Sequence, residues 1–121
     1  VSGLQLTVSQ CRRVSAITGQ PAPPQGEQYV VCTVQAQALQ GGVSYNGSGM
    51  GITEQSKLAG QPDFWPTPIP VTGQLGDGML NLTGEAVIGQ VAGTIPVGSL
   101  SPVLTWQYGG VKYVIAISVG Q

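Results

Sequence analysis

The sequence predicts an all-β protein built as an antiparallel sandwich or barrel. Three observations carry that prediction. Apolar residues recur at every second position in several segments, and no stretch keeps a 3.6-residue rhythm. The 19 glycines and 9 prolines punctuate the chain without a fixed period, which implies many turns and excludes a collagen-like repeat. The segments between these turns are short and spaced like the strands of sandwiches and barrels. The 121 residues fit one domain over residues 1–121, a size that buries enough core to fold without a metal.

Leu4, Leu6 and Val8 share one face of a first strand within Leu4–Ile17, with Gln5, Thr7 and Ser9 on the other. In Gln28–Leu39 the inward set is Val30, Cys32, Val34, Ala36 and Ala38. From Val8 to Cys11 the inward parity slips by one, which predicts a β-bulge near Ser9–Gln10. Gly41–Gly51 reads as a short irregular strand with turns, and Glu54–Gly60 as one helical turn or a loop. Four prolines in Pro62–Pro70 predict an extended edge or linker around Phe64 and Trp65. Gly76-Asp77-Gly78 is a turn by composition. Strands follow at Met79–Leu82, Ala86–Ile95, Val103–Tyr108 and Val111–Val119, with Gly109-Gly110 as a two-residue hairpin loop. About seven to eight strands result.

Cys11 and Cys32 flank the Pro/Gly-rich connection Thr18–Gly26. If the flanking strands form a hairpin centred near Pro21–Ala22, facing residues have numbers that sum to 43, as these two do. Directly opposed Cα atoms lie about 4.5–5.5 Å apart, within disulfide range. Such a bond closes a loop of about 22 residues and contributes roughly 3 kcal/mol. It also implies an oxidising compartment. The alternative is two buried thiols acting as small hydrophobes.

Charge removes whole classes of function. Four Lys/Arg and five Asp/Glu make 7% of the chain, against roughly 25% in ordinary domains. The net charge of −1 cannot hold nucleic acid or an anionic membrane, and no apolar run reaches the ~20 residues of a membrane span. With no histidine, a hydrolytic triad lacks its usual base, and Ser56-Lys57 points apart on a strand. A zinc site needs more Cys/His ligands than two cysteines supply. Glu27, Glu54, Asp63, Asp77 and Glu85 all fall in turns or loops and read as solvated charges, not as a paired-carboxylate site. The Gly47–Gly51 run has Ile52 where a dinucleotide fingerprint needs glycine. The expectation is no enzyme, no cofactor and no metal.

Aromatic residues are the remaining candidates for contact. Trp106 and Tyr108 share a strand face and read either as core or as a stacking surface. Phe64-Trp65, in a segment that is hard to bury, is the candidate for contact between subunits. Asn46-Gly47-Ser48 and Asn81-Leu82-Thr83 fit the N-glycosylation pattern.

Two blocks carry a resemblance. Pro24–Val34 (PQGEQYVVCTV) and Leu80–Val91 (LNLTGEAVIGQV), followed by Ile95-Pro96-Val97 and Leu104, resemble the opening and closing strands of a bacterial secreted immunoglobulin-like family. That family includes the mycobacterial immunoprotective secreted antigen. The resemblance covers about a third of the chain. It implies an immunoglobulin-like sandwich outside the cytoplasm, with no known enzymatic activity. The chain departs from the family in its shortage of Lys, Asp and Glu and in Phe64–Pro70.

The expected role is a non-catalytic structural subunit of a surface layer, fibre or shell, self-associating or meeting other surface proteins. Few charges protect the surface from association, and the apolar segments Leu4–Val8 and Val111–Val119 read either as ordinary internal strands or as segments suited to strand addition at a sheet edge. The alternative is a secreted or envelope-tethered monomeric module that binds through loops or an aromatic face. A chain that opens on Val1 instead of Met is read as a mature, exported form.

Overall fold

The alternation in the first forty residues is realised as two long adjacent strands in a computed structural model, which describes residues 3–61 and 64–120. The carboxylate candidate Asp63 and the start of the Pro-rich segment at Pro62 lie outside the described residues. Strand β1 (Leu4–Val14) pairs antiparallel with β2 (Glu27–Ala38). Then come β3 (Val43–Asn46), a single 3₁₀ turn at Gly47–Gly49, β4 (Met50–Glu54) and the short helix α1 (Gln55–Gly60). After a long irregular segment follow β5 (Asp77–Leu80), β6 (Ala86–Pro96), β7 (Pro102–Tyr108), β8 (Val111–Ala116) and β9 (Val119–Gly120).

These elements form a β-sandwich. One sheet runs β6-β2-β1-β9 and the other β4-β7-β8, with β3 and β5 as a separate antiparallel pair. Taken in chain order, β1-β2-β6 against β4-β7-β8 repeats the A-B-E and C-F-G strand arrangement of immunoglobulin-like sandwiches. All pairings between strands are antiparallel except β1 with β9.

The core lies where the inward sets meet. Val30, Cys32, Val34, Ala36 and Ala38 of β2 face Met50, Ile52, Leu104 and Trp106 of the second sheet, all buried in one apolar cluster. Glycine lets the layers touch on the β4/β6 side: a Cβ on Gly93 would stand 2.7 Å from the Ile52 carbonyl oxygen.

A second, smaller cluster sits on the outer face of the first sheet. It gathers Ile17, Tyr29, Val31 and Ala92 beneath Ile69 and Val71. That cover comes from the Pro-rich segment, which is neither a strand nor a solvated linker but a strap. Pro66 passes against Gly51 of β4, where an added Cβ would lie 2.9 Å from its carbonyl oxygen. Ile69 N–H donates to Ala92 O at 3.1 Å, and Leu75 N–H donates to Gln90 O at 2.9 Å. The strap therefore hydrogen-bonds along the outer edge of β6, which would otherwise be an open ladder.

Several sequence expectations need correction. The first strand ends at Val14, not Ile17. Asp77 and Gly78 begin β5 instead of forming a turn, and the strand stops at Leu80, leaving Leu82 in the following turn. Val111–Val119 is two strands: the chain leaves one sheet at Ile117–Ser118 and enters the other as β9. With this split, and with β3 and β4 where one irregular strand was expected, the described residues hold nine strands. Glu54–Gly60 resolves to a helical turn because the Glu54 side chain caps it, accepting from Ser56 N–H at 3.0 Å.

Candidate functional site

The first site residues to place are the cysteines. Pairs between β1 and β2 have numbers that sum to 42 up to Ser9↔Thr33 and to 43 from Arg12↔Val31 onward. Gln10 and Cys11 together oppose Cys32, so the bulge falls where the parity slip predicted it. Gln10 takes the positive φ of 50° that the extra residue requires. Cys11 and Cys32 are disulfide-bonded, with Cα atoms 4.0 Å apart.

The aromatic candidates fall into two separate pairs. Trp106 is only 2% exposed and packs in the core between Tyr108, with ring centroids 4.7 Å apart, and Tyr113, at 5.4 Å. Its Nε1–H donates to Asn46 Oδ1 at 2.9 Å, while Asn46 Nδ2 donates to Gln107 O at 2.8 Å. Asn46, noted in the sequence only as a glycosylation acceptor, is thus the polar partner of a buried indole. Tyr108 is half-buried and donates its hydroxyl to Ser44 O at 2.7 Å. Phe64 and Trp65 lie elsewhere, half-buried on the strap. Lys57 Nζ stands 4.4 Å above the Phe64 ring and Lys112 Nζ 5.0 Å above Trp65. Phe64 thereby holds the strap to α1 and Trp65 holds it to β8 of the second sheet.

Three of the described carboxylates, Asp77, Glu54 and Glu85, serve backbone. Asp77 accepts from Ser48 N–H at 3.0 Å and from its hydroxyl at 2.7 Å, which hold its pKa below the ordinary value. Glu54 is held low mainly by the Ser56 hydroxyl, then by the Ser56 amide, and it also accepts from Ser101 N–H at 3.2 Å. Glu85 accepts from the amides of Asn81 and Leu82 at 2.9 and 3.1 Å. Among the described residues no three metal-ligating side chains gather, and no helix is long and apolar enough to cross a membrane.

The feature that can bind something is a slot on the side of the sandwich opposite the strap. It runs between β1 and β8 as two adjoining cavities of about 360 and 390 Å³ that share Leu6 and Ile115. Leu39, Trp106 and Tyr113 line its open end. Val8, Cys11 and the Ile117–Ser118 crossing line the other. Among the described residues no charged side chain lines either cavity.

Beside the slot, Leu6 and Val8 of β1 and the outward-facing residues of β8 have no backbone ladder partner among the described residues. Ala38 exchanges hydrogen bonds with Glu85 and Gly84, whereas Leu39 N–H donates to Gly3 O. Alternation along β2 therefore turns Gln37, Gln35 and Thr33 toward β1, and their partners Gln5, Thr7 and Ser9 toward β2. The backbone groups of Leu6 and Val8 point the other way, into the slot. On β8, the two-residue loop with φ of 59° and 78° at Gly109 and Gly110 makes Tyr108↔Val111 a hydrogen-bonded pair. Lys112, Val114 and Ala116 consequently face outward, with no backbone partner on that side among the described residues.

The sequence carried a partial signal for this site. The terminal apolar segments suited to strand addition are the ones that flank the slot. That both would be edges required the strand order.

Comparison with protein-family models, with curated proteins and with solved structures finds no match to this chain.

Proposed function

We propose that this protein is a non-catalytic structural subunit that assembles, outside the cytoplasm, with copies of itself or with other surface proteins. The observation that supports this reading is an asymmetry in how the sandwich protects its edges. On one side the strap hydrogen-bonds along β6. On the other, among the described residues, Leu6 and Val8 of β1 and the outer side of β8 have no backbone partner beside a slot that no charged side chain lines. Ladder groups of that kind recruit further strands, and with four Lys/Arg and five Asp/Glu the chain has little charge to oppose association.

The disulfide suits an oxidising, extracellular setting. The resemblance of Pro24–Val34 and Leu80–Val91 to the secreted immunoglobulin-like family supports the same address, and it rests on those residue blocks. A non-enzymatic role is favoured by the lack of histidine and by carboxylates already engaged in capping backbone.

The test is the native size of the untagged protein by light scattering, with negative-stain imaging of the same sample. Filaments, sheets or closed shells are expected. A persistent 12.4 kDa monomer at high concentration contradicts assembly. It would favour a monomeric binding module, whose ligand would enter the same slot beside Trp106 and Tyr113.

A further inference from the structure

We infer that β8 is a self-association strand: two copies of this chain pair β8 with β8, antiparallel, about a two-fold axis at Val114. The inference rests on the assembly reading and names its interface.

The first observation is the state of the strand. β8 ends its sheet in the order β4-β7-β8. Val111, Tyr113 and Ile115 share hydrogen bonds with β7, so Lys112, Val114 and Ala116 aim their N–H and C=O groups away from it. Among the described residues no backbone meets them there. A row of donors and acceptors at strand spacing is matched by another strand.

The second observation is that β8 is complementary to itself. In an antiparallel pair centred on Val114, that residue faces its own copy, and Lys112 faces Ala116 in both directions. Every outward N–H and C=O of the three residues is then bonded, and the two β4-β7-β8 sheets become one. No other symmetric register does as well. Centring on Lys112 sets two ammonium groups directly opposite each other, which is destabilising. Centring on Tyr113 sets Ala116 against the Gly110 loop. Centring on Ile115 or Ala116 runs the second copy past Ile117–Ser118, where the chain has left this sheet for the other.

The third observation is the chemistry of the two faces. On the inner face Tyr113 meets Ile115 of the second copy, and both types of side chain already pack against the core. On the outer face Val114 is 48% exposed, and the pairing covers it with its own copy. Lys112 carries the only charge on the strand, a device that often guards sheet edges. Here its Nζ is held 5.0 Å above the Trp65 ring. Trp65 precedes Pro66, which lies against Gly51 of β4 at the opposite side of the sheet. The ammonium therefore leans inward over its own sheet and leaves the edge unguarded.

The experiment compares air crosslinking of two single-cysteine variants of the intact, disulfide-bonded protein. The native cysteines are 7% and 0% exposed and do not compete. Val114→Cys puts the two new thiols on the axis, with Cα atoms about 5.5 Å apart, inside disulfide range. Lys112→Cys leaves them about 14 Å apart along the pair, outside it. Val114→Cys is expected to form covalent dimer at least tenfold faster. Val114→Lys sets like charges on the axis at an exposed position, so it should keep the β-sheet spectrum and give smaller particles than the native protein by light scattering. Equal crosslinking rates, or a faster rate at 112, overturn the inference, as do native-sized particles from Val114→Lys. If filaments or shells form while crosslinking at 114 stays slow, the β8 inference fails and assembly stands. If a dimer crosslinks at 114 and grows no further, β8 pairing stands and the filament, sheet and shell reading fails. A chain that stays monomeric and crosslinks at neither position overturns both.

Discussion

Cys11 and Cys32 are covalently joined across a bulge, their Cα atoms 4.0 Å apart, where two residues of β1 oppose one of β2. The bond sits at the boundary between two registers. Before it, Leu6 and Val8 have no outer ladder partner among the described residues; at Cys11 and Arg12 the edge is taken by β9. The disulfide thus staples the hairpin just where the outer pairing of β1 changes.

Removing that staple should cost stability without changing the fold. Closing a loop with a sequence separation of 21 stabilises by roughly 3 kcal/mol through the unfolded chain. We expect the double variant C11A/C32A to lose about that much in denaturant titration and to keep its β-sheet spectrum. Intact mass should rise by two hydrogens on reduction of the native protein, and an unchanged mass would mean free thiols.

Gly93 tests how closely the sheets approach. A Cβ at this position would meet the Ile52 carbonyl oxygen at 2.7 Å and the Ile52 Cβ at 2.8 Å, so backbone must move. Gly93→Ala should destabilise by about 1–3 kcal/mol, the usual range for overpacking. Gly60→Ala, with nothing within 4 Å, should be neutral or stabilise by up to ~1 kcal/mol. Equal effects at the two positions in a thermal melt would refute the close-packing account.

Asn46 satisfies a buried donor. Asn46→Ala leaves the Trp106 Nε1–H without its 2.9 Å partner in a residue that is almost wholly inside. A loss of about 1–3 kcal/mol follows, with a change in tryptophan fluorescence. In a host that glycosylates exported asparagines, the exposed Asn81 should carry glycan while Asn46, with its amide engaged, should not. Peptide mass mapping distinguishes the two.

Stability should be flat between about pH 5 and pH 8 and fall below that range. Glu54 and Asp77 have folded pKa values below their ordinary 4.5 and 3.8. The unfolded chain therefore takes up protons first as pH falls. The stabilisation these groups give is complete above the ordinary values and is lost as pH drops through the folded ones. With no histidine in the sequence, no imidazole titrates in the flat region. Asp77→Asn should flatten part of the acid decline in melting temperature; a transition centred near pH 6.5 would contradict the assignment.

What was legible in the sequence was local. The hairpin register, the bulge and the disulfide follow from parity and from one loop, all within the first forty residues. The hidden parts depend on distant partners. Tyr113, Ile115, Ile117 and Val119 alternate without interruption because both β8 and β9 face the same core, so the period carries no trace of the change of sheet at Ile117–Ser118. Parity puts Trp106 and Tyr108 on one face, where their rings stack, yet a single strand cannot say which face is inside. Prolines predicted that 64–70 would be extended, but its path as a strap is set by the exposed β6 ladder and by Val31 and Ala92, which need cover. Asn46 was hidden for the same reason: its partners are about sixty residues away.

The most direct test of the central claim is amide hydrogen exchange compared between dilute and assembled protein. The account predicts that Val114 and Ala116 are fast in the dilute chain and become protected on assembly. Ile69 and Leu75, already bonded on the strap side, should change little. Assembly that protects the strap side or another surface, and leaves Val114 and Ala116 fast, would contradict it.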